Sequence, residues 1–309
     1  MSIEGKSESL AMQAPAEAFG SARPTDSPLG RAARRFLRHR LALVGAVMVL
    51  FLLIVAAFAH VLAPYDPLDV NTGRRMLPPD GQNLLGTDQV GRDVLSRLIY
   101  GTRVSMSVGI VAVSIQLSIA FILGSLSGYL GGKTDMVIMR FTDVVMTFPT
   151  FVLVLILVSI VGPSMYNVML VFGLFAWPGP ARLVRGQVLS LREQDFILAA
   201  RVVGVGDWDV LRRHLLPNVL GPVSVAATLG MAEAILTEAG LSFLGLGVRP
   251  PTPTWGSMIG DARFTYVLAD MPWLWLVPGV AISFAVICIN FIGDGLRDAF
   301  DVRGRQALE

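Results

Sequence analysis

Two carboxylates stand inside an apolar stretch of the chain. Glu233 and Glu238 lie in the segment 219–245, which carries no other charged residue. An ionised side chain inside a membrane is costly, so it usually faces protein, water or a partner charge. Two roles therefore stay open for this pair. The carboxylates line a translocation path or gate, or they join their helix to a neighbouring one.

A second candidate functional region is the segment 195–217, whose sequence predicts two short helices. Asp195 is a favourable N-cap residue for the first of them. Four apolar residues at helical spacing then share one face: Phe196, Ala199, Ala200 and Val203. A face of this kind outside a membrane predicts a docking surface for another protein. The alternative is that the loop folds back on its own spans.

The same segment predicts a sharp break after the first helix. Gly204 stands where a C′ glycine ends a helix, because positive φ costs a glycine little. Asp207 is predicted to cap the second helix, which ends at Leu216 before Pro217. The angle between the two helices would then fix how the apolar face is presented.

No residue set for covalent or metal chemistry is recognisable. Gly132-Lys133-Thr134 resembles the end of a phosphate-binding loop, but Ser127 stands where that motif requires its first glycine. The three histidines lie too far apart for an i, i+4 metal pair, and a single cysteine forms neither an intrachain disulfide nor a metal site by itself. We therefore expect no enzymatic activity, no cofactor and no metal site in this chain.

The composition places these segments in a membrane protein. Of 309 residues, 53% are hydrophobic and 16% are charged, with a mean hydropathy of +0.63. Soluble domains carry about 25% charged residues, so a soluble fold is excluded. The formal net charge of +2 gives no reason to expect nucleic-acid binding.

Six apolar runs predict an all-α protein with six transmembrane helices. The first run follows forty residues without a convincing cleavage site, which favours a membrane helix over a signal peptide. Arg92, Asp93 and Arg97 have helical spacing and predict an interfacial helix over 88–100 rather than a catalytic site. The predicted spans are 41–62, 104–132, 137–162, 166–183, 219–245 and 273–293.

The distribution of Lys and Arg predicts the orientation. Six spans place both termini on one side, where the connecting segments hold 16 Lys and Arg against seven on the other side. The positive-inside rule therefore places both termini and the 195–217 loop in the cytoplasm. The chain then divides into a cytoplasmic tail over 1–40, an extracytoplasmic loop over 63–101 and a cytoplasmic C-terminus over 295–309.

Several motifs resemble one family of bacterial membrane proteins. Ala199-Ala200, Gly204 and Leu216-Pro217 are similar to the "EAA" loop of ABC importer permeases. The C subunits of dipeptide and oligopeptide permeases have stretches similar to three further segments of this chain: 85–101, 250–256 and 293–301. One departure is that Leu198 stands at the family's acidic position.

The resemblance implies a type I ABC importer permease of the bacterial inner membrane, with its permease domain over 102–294. In that family the loop forms a coupling helix on a cytosolic ATPase, so the contact would use Ala199, Ala200, Arg201, Gly204, Asp207 and Trp208. The implied partners are a second homologous permease subunit, two ATP-binding subunits carrying ATP and Mg, an extracytoplasmic substrate-binding protein and membrane lipid. The chain itself is expected not to hydrolyse ATP.

Two other classes of function compete with this one. A proton-coupled secondary transporter would use Glu233 or Glu238 as its coupling site. The sequence predicts neither an inverted repeat nor a matched pair of broken helices for it, and the 195–217 loop would be unexplained. An intramembrane enzyme lacks a catalytic set. The cargo stays open between dipeptides, longer peptides, haem, a nickel chelate and an opine-like compound.

Overall fold

The computed structural model describes residues 28–300, and within them the chain is helical apart from turns and one isolated bridge between Thr87 and Asp93. The predicted tails therefore lie largely outside the described residues. The helices are α1 (Pro28–Phe36), α2 (Arg40–Ala57), α3 (Ala59–Leu62), α4 (Val94–Leu130), α5 (Gly132–Met146), α6 (Thr150–Val161), α7 (Met165–Phe175), α8 (Pro178–Arg192), α9 (Asp195–Val202), α10 (Asp207–Asp209), α11 (Leu216–Phe243), α12 (Trp255–Asp261), α13 (Thr265–Asp270) and α14 (Trp273–Phe300).

Between residues 28 and 300, five helical segments are long and apolar enough to cross a membrane, and a bent pair of helices makes a sixth. The five are α2, α4, α7 with α8, α10 through α11, and α14, and the bent pair is α5 with α6. The 18 residues of α2 rise about 27 Å, close to the ~30 Å of a hydrocarbon core. The all-α fold with six spans is thus confirmed.

The direction of each crossing follows from which residues meet. α4 runs parallel to α7 and α8, because Gly173 meets Ala112 and, further along both helices, Gly128 meets Val188. Two helices that cross in the same direction need a return crossing between them. α5 and α6 supply it, which is why the bent pair counts as a span.

The return crossing is broken, and so is the span that follows it. α5 and α6 meet at 80° around Pro149, which lacks an N–H and restricts the residue before it. α7 is separated from α8 just before Pro178, the first residue of α8. These two breaks lie in successive spans rather than in corresponding halves of a repeat, so the absence of a matched pair of broken helices stays a prediction. The span predicted over 166–183 extends to Arg192.

The remaining spans alternate in direction. α11 is antiparallel to α4, since Glu238 meets Ser105 while Gly230 meets Gln116. α14 is antiparallel to both α11 and α2. The start of α2 and the ends of α4, α8 and α14 therefore lie together at one end of the bundle, which we call the loop end because α9 lies there too.

At the other end, polar side chains fix the segment that precedes α4. Asp93 is the N-cap residue of α4 and accepts hydrogen bonds from the Ser96 backbone N–H at 2.7 Å and from Asn83 Nδ2 at 2.8 Å. Because α4 begins at this cap and continues unbroken into the span, the predicted interfacial helix over 88–100 was wrong.

Four charged side chains join this segment to α12: Asp88, Arg92, Arg97 and Asp261. Arg92 Nε lies 2.7 Å from an Asp88 oxygen, and Arg97 lies 3.1 Å from an Asp261 oxygen. Burial raises the pKa of Asp261, while the two guanidinium groups act in the opposite direction. The cluster ties together three parts of the chain that meet at the end opposite α9.

We expect Gly124→Ala to destabilise the bundle and Gly186→Ala to leave it intact. A β-carbon on Gly124 would lie 2.5 Å from the Ala181 carbonyl oxygen and 2.8 Å from Val184 Cβ, so α4 and α8 would have to separate. A β-carbon on Gly186 would meet nothing within 4 Å, and alanine stabilises a helix by about 1 kcal/mol relative to glycine.

Thermal unfolding of the two purified variants in detergent measures this difference. The midpoint should fall for Gly124→Ala and stay or rise for Gly186→Ala. Equal midpoints would contradict a close approach of the α4 and α8 backbones.

Candidate functional site

The 195–217 loop exposes apolar side chains at the loop end of the bundle. α9 begins at Asp195, with Gln194 rather than Asp195 as its N-cap residue. Gly204 follows α9 with a φ of +84°, so the predicted helix break at a left-handed glycine is confirmed. The large apolar residues exposed here are Phe196, Leu198, Val202, Val203 and Trp208, of which Val202 and Val203 are 88% and 83% exposed.

One apolar residue of α9 points the other way and anchors the helix. Ile197 is fully buried, packed in a cluster that includes Val188 of α8 and Leu215 just before α11. The loop therefore does fold back on its own spans, through Ile197 of α9 and through Val210, Leu211 and Leu215 in its second half.

On the predicted face, Phe196, Ala199 and Val203 are exposed and Ala200 is half-buried. The anchor was not predicted, because Ile197 differs from its exposed neighbours only in its position on the helix.

A tyrosine at the end of α4 holds both halves of the loop. The Tyr129 hydroxyl donates a hydrogen bond to Asp207 Oδ1 at 2.5 Å, and the Arg201 guanidinium carbon lies 5.5 Å from the Tyr129 ring centroid. Asp207 was predicted to cap the second helix, but Gly206 is the N-cap residue. No local sequence signal links Tyr129 to residues more than 70 positions away.

The helix predicted to end before Pro217 does not end there. A π-helix over Val210–Leu215 connects α10 directly to α11. Pro217 lies in the first turn of α11, where a missing N–H is tolerated. The loop is thus continuous with the fifth span, so a displacement of α10 acts on α11 without an intervening hinge of coil.

The carboxylate of Glu238 is buried and holds three helices together. It accepts hydrogen bonds from Ser242 Oγ at 2.6 Å and from Ser105 Oγ of α4 at 3.2 Å. Ser105 Oγ in turn accepts from the Trp255 backbone N–H at the start of α12, at 3.4 Å. This arrangement favours the helix-joining role for Glu238.

The side chain of Glu233 is exposed and lines an open cavity of about 320 Å³. Both helix breaks border this cavity, since Met146 and Thr150 flank one and Ala176 and Pro178 flank the other. No Lys, Arg or His of residues 28–300 contributes to its lining. Two carboxylates that look alike in the sequence therefore have opposite surroundings, and only Glu233 is placed to meet a solute.

Comparison with known families decides what kind of protein this is. Residues 120–306 match the family described as binding-protein-dependent transport system inner membrane component. Residues 27–79 match the N-terminal TM domain of oligopeptide transport permease C. The chain belongs to the binding-protein-dependent transport permeases. It is accordingly a multi-pass inner-membrane transport protein.

Individual relatives cover nearly the whole permease. A permease protein of Brucella suis biovar 1 is 44% identical over 276 residues, covering 89% of this chain and 91% of the relative. The dipeptide transport system permease protein DppC of Alkalihalophilus pseudofirmus is 40% identical over 275 residues, covering 89% and 90%. These matches confirm the resemblance to dipeptide and oligopeptide permeases. That resemblance was drawn from the EAA-like loop and from the segments 85–101, 250–256 and 293–301.

A solved structure shows the same fold. The MetNI methionine ABC transporter, in an inward-facing crystal form, matches with a TM-score of 0.55 at 19% sequence identity. The match covers 66% of the permease and 97% of that chain. The type I importer bundle predicted from the sequence is thus confirmed.

We expect Tyr129→Phe to loosen the 195–209 segment of the permease while the bundle stays intact. The variant keeps the ring beside Arg201 but removes the hydrogen bond to Asp207. A hydrogen bond of this kind contributes about 1 kcal/mol, so the segment should open several-fold more often.

Hydrogen exchange of backbone amides, followed by mass spectrometry, measures this opening. Tyr166→Phe is a suitable control because Tyr166 is exposed on α7. Unchanged exchange over 195–209 in Tyr129→Phe would show that Asp207 is held by other contacts.

Proposed function

We propose that the permease imports short peptides into the cytoplasm as one of two permease subunits of an ATP-driven importer. Two findings support a peptide cargo. A dipeptide permease is 40% identical over nine-tenths of the chain, and the N-terminal region matches the family of oligopeptide permease C. A substrate-binding protein outside the cell would deliver the peptide, and both chain termini would be cytoplasmic.

The exposed apolar side chains of the 195–217 loop carry this proposal. The side chains of Val202, Val203 and Trp208 are exposed. The loop that carries them is held against the bundle by Ile197 and Tyr129. An exposed apolar patch on a rigid support is typical of a protein interaction site. The partner is an ATP-binding subunit, and the contact uses Ala199, Ala200, Arg201, Gly204, Asp207 and Trp208.

ATP and Mg are then bound by two such partner subunits, and this chain contributes coupling rather than hydrolysis. α4 and α8 pack in parallel, and both helices run from the membrane cavity to the end of the bundle where the loop lies. Glu233 lines the path through which the peptide passes, while Glu238 joins helices. A second, homologous permease subunit forms the other wall of the path.

Proton coupling through the carboxylates is less well supported. Such transporters use broken helices in corresponding positions of two repeats, whereas the bent pair here, α5 with α6, forms a single crossing. In addition, Glu238 is fully buried and has two hydroxyl donors. Membership of a binding-protein-dependent family also favours an importer driven by a separate ATPase.

We expect Gly204→Asp to abolish uptake without preventing membrane insertion. A β-carbon at φ +84° strains the turn by roughly 1 kcal/mol, and an aspartate adds an unpaired charge to the proposed contact. A β-carbon at Gly204 meets nothing within 4 Å, so the bundle itself is not disturbed. Gly204→Ala should therefore have the smaller effect.

Co-purification of the ATP-binding subunits with each variant, together with peptide uptake by cells, measures the effect of Gly204→Asp. Association and uptake at wild-type levels for Gly204→Asp would refute the docking role of the loop.

The proposed orientation predicts which engineered cysteines react from outside intact cells. Cysteine in place of Asp80 should react with a membrane-impermeant thiol reagent, and cysteine in place of Asp209 should not. The native Cys288 is only 4% exposed, so it should contribute little background. Labelling of Asp209→Cys from outside would place the 195–217 loop on the wrong side for an ATPase.

A further inference from the structure

We propose that the cavity at the two helix breaks binds the α-ammonium group of a peptide in transit, with the Glu233 carboxylate and the Gln116 side-chain oxygen as its acceptors. This inference extends the proposed function, since it presupposes a peptide cargo. The 320 Å³ of the cavity lie at the lower limit for small-ligand sites, which suits one end of a peptide.

The orientation of the Gln116 amide is fixed by its neighbour. Gln116 is 2% exposed, and its Nε2 donates a hydrogen bond to the Ala176 carbonyl oxygen at 2.8 Å. The flipped amide would bring two oxygens together, so Oε1 must be the atom that points away from Ala176. This Oε1 is buried and has no hydrogen-bond donor in the described part of the chain.

A buried acceptor without a donor is unfavourable, and a donor arriving in the cavity would relieve it. Gly230, one turn before Glu233 on α11, lies directly beside this oxygen and adds no side chain over it. A β-carbon on Gly230 would lie 2.8 Å from Gln116 Oε1 and would cover it. Both Gln116 and Gly230 line the same cavity as Glu233.

The chemistry of the lining selects the ligand. Glu233 supplies a negative charge, Gln116 supplies a neutral acceptor, and no basic residue between positions 28 and 300 faces them. No group of three metal-ligating side chains occurs in residues 28–300, and two acceptors are too few to replace the hydration shell of a divalent cation. An ammonium group, which offers three donors and one positive charge, matches this set. A peptide carries such a group at neutral pH, because the α-amino pKa is about 7.7–8.0.

The test compares two cargoes in the complete transporter, reconstituted in proteoliposomes with its binding protein. One cargo is a dipeptide, and the other is its des-amino analogue, which lacks only the ammonium group. Each is supplied at a concentration that saturates the binding protein, so differences in delivery affinity are removed. Uptake is measured for the wild type, Glu233→Gln and Glu233→Asp.

We expect Glu233→Gln to reduce dipeptide uptake about tenfold, as loss of a charge-assisted hydrogen bond would, and to leave uptake of the des-amino analogue unchanged. Glu233→Asp should recover part of the dipeptide uptake because it keeps the charge. Gly230→Ala should mimic Glu233→Gln in selectivity without any change of charge.

Equal losses for both cargoes in Glu233→Gln, or no loss for either, would overturn the ammonium site. Equal losses accompanied by failure of the subunits to co-purify would instead assign Glu233 to pairing with the second permease subunit. Failure of the proposed function is a separate result, since the wild-type transporter would then take up neither cargo.

Discussion

The backbones of α4 and α8 approach each other so closely at Gly124 and Gly128 that a β-carbon does not fit at either position, and the path of the chain depends on this contact. Gly124 faces the carbonyl of Ala181, and Gly128 faces the carbonyl of Arg185 one turn later. Lipid offers no hydrophobic driving force for helix association, so close van der Waals packing of small residues must supply it. Because the two helices are parallel, residues 131–164 have to return across the membrane. Their bend at Pro149 opens the cavity.

Because the interior of a membrane contains no water, the polar side chains of the spans fall into two kinds. Glu238 is buried where Ser105 and Ser242 donate to it, so its partners are supplied within the chain. Glu233 and Gln116 Oε1 have no such donors among residues 28–300, and both residues line the same cavity. A polar group that finds its hydrogen-bond partners within the fold stabilises the helix contacts. A polar group without such partners is available to a ligand.

Much of the fold could be predicted from the sequence because apolar runs and glycine positions are local signals. The six spans and the helix break at Gly204 follow from such signals. The bend at Pro149 could not be predicted from hydropathy, which treats residues 137–162 as one run, although the proline itself was visible. Tyr129 and Gln116 could not be found at all, because their roles depend on Asp207 and Ala176, which the tertiary fold brings to them from distant positions. The different surroundings of Glu233 and Glu238 likewise depend on which helices pack around α11.

The unbroken course of α4 connects the loop to the cavity. α4 runs for 37 residues without a proline, whereas α11 and α14 contain Pro222 and Pro278 and two other spans are broken. Tyr129 at its loop end and Gln116 at the cavity are separated by about 20 Å along a straight helix. α8 follows α4 through the glycine contacts, and Arg185 of α8 binds Asp135 of α5 with two hydrogen bonds of 2.5 and 2.6 Å. A force on the loop therefore acts on α4, α8 and α5 as one body, while α6 lies beyond the bend at Pro149 and is not included. The cavity is lined by α4, α5 and α8 and, across from them, by α11, which the loop joins without a coil. A movement of the loop therefore reaches both walls of the cavity.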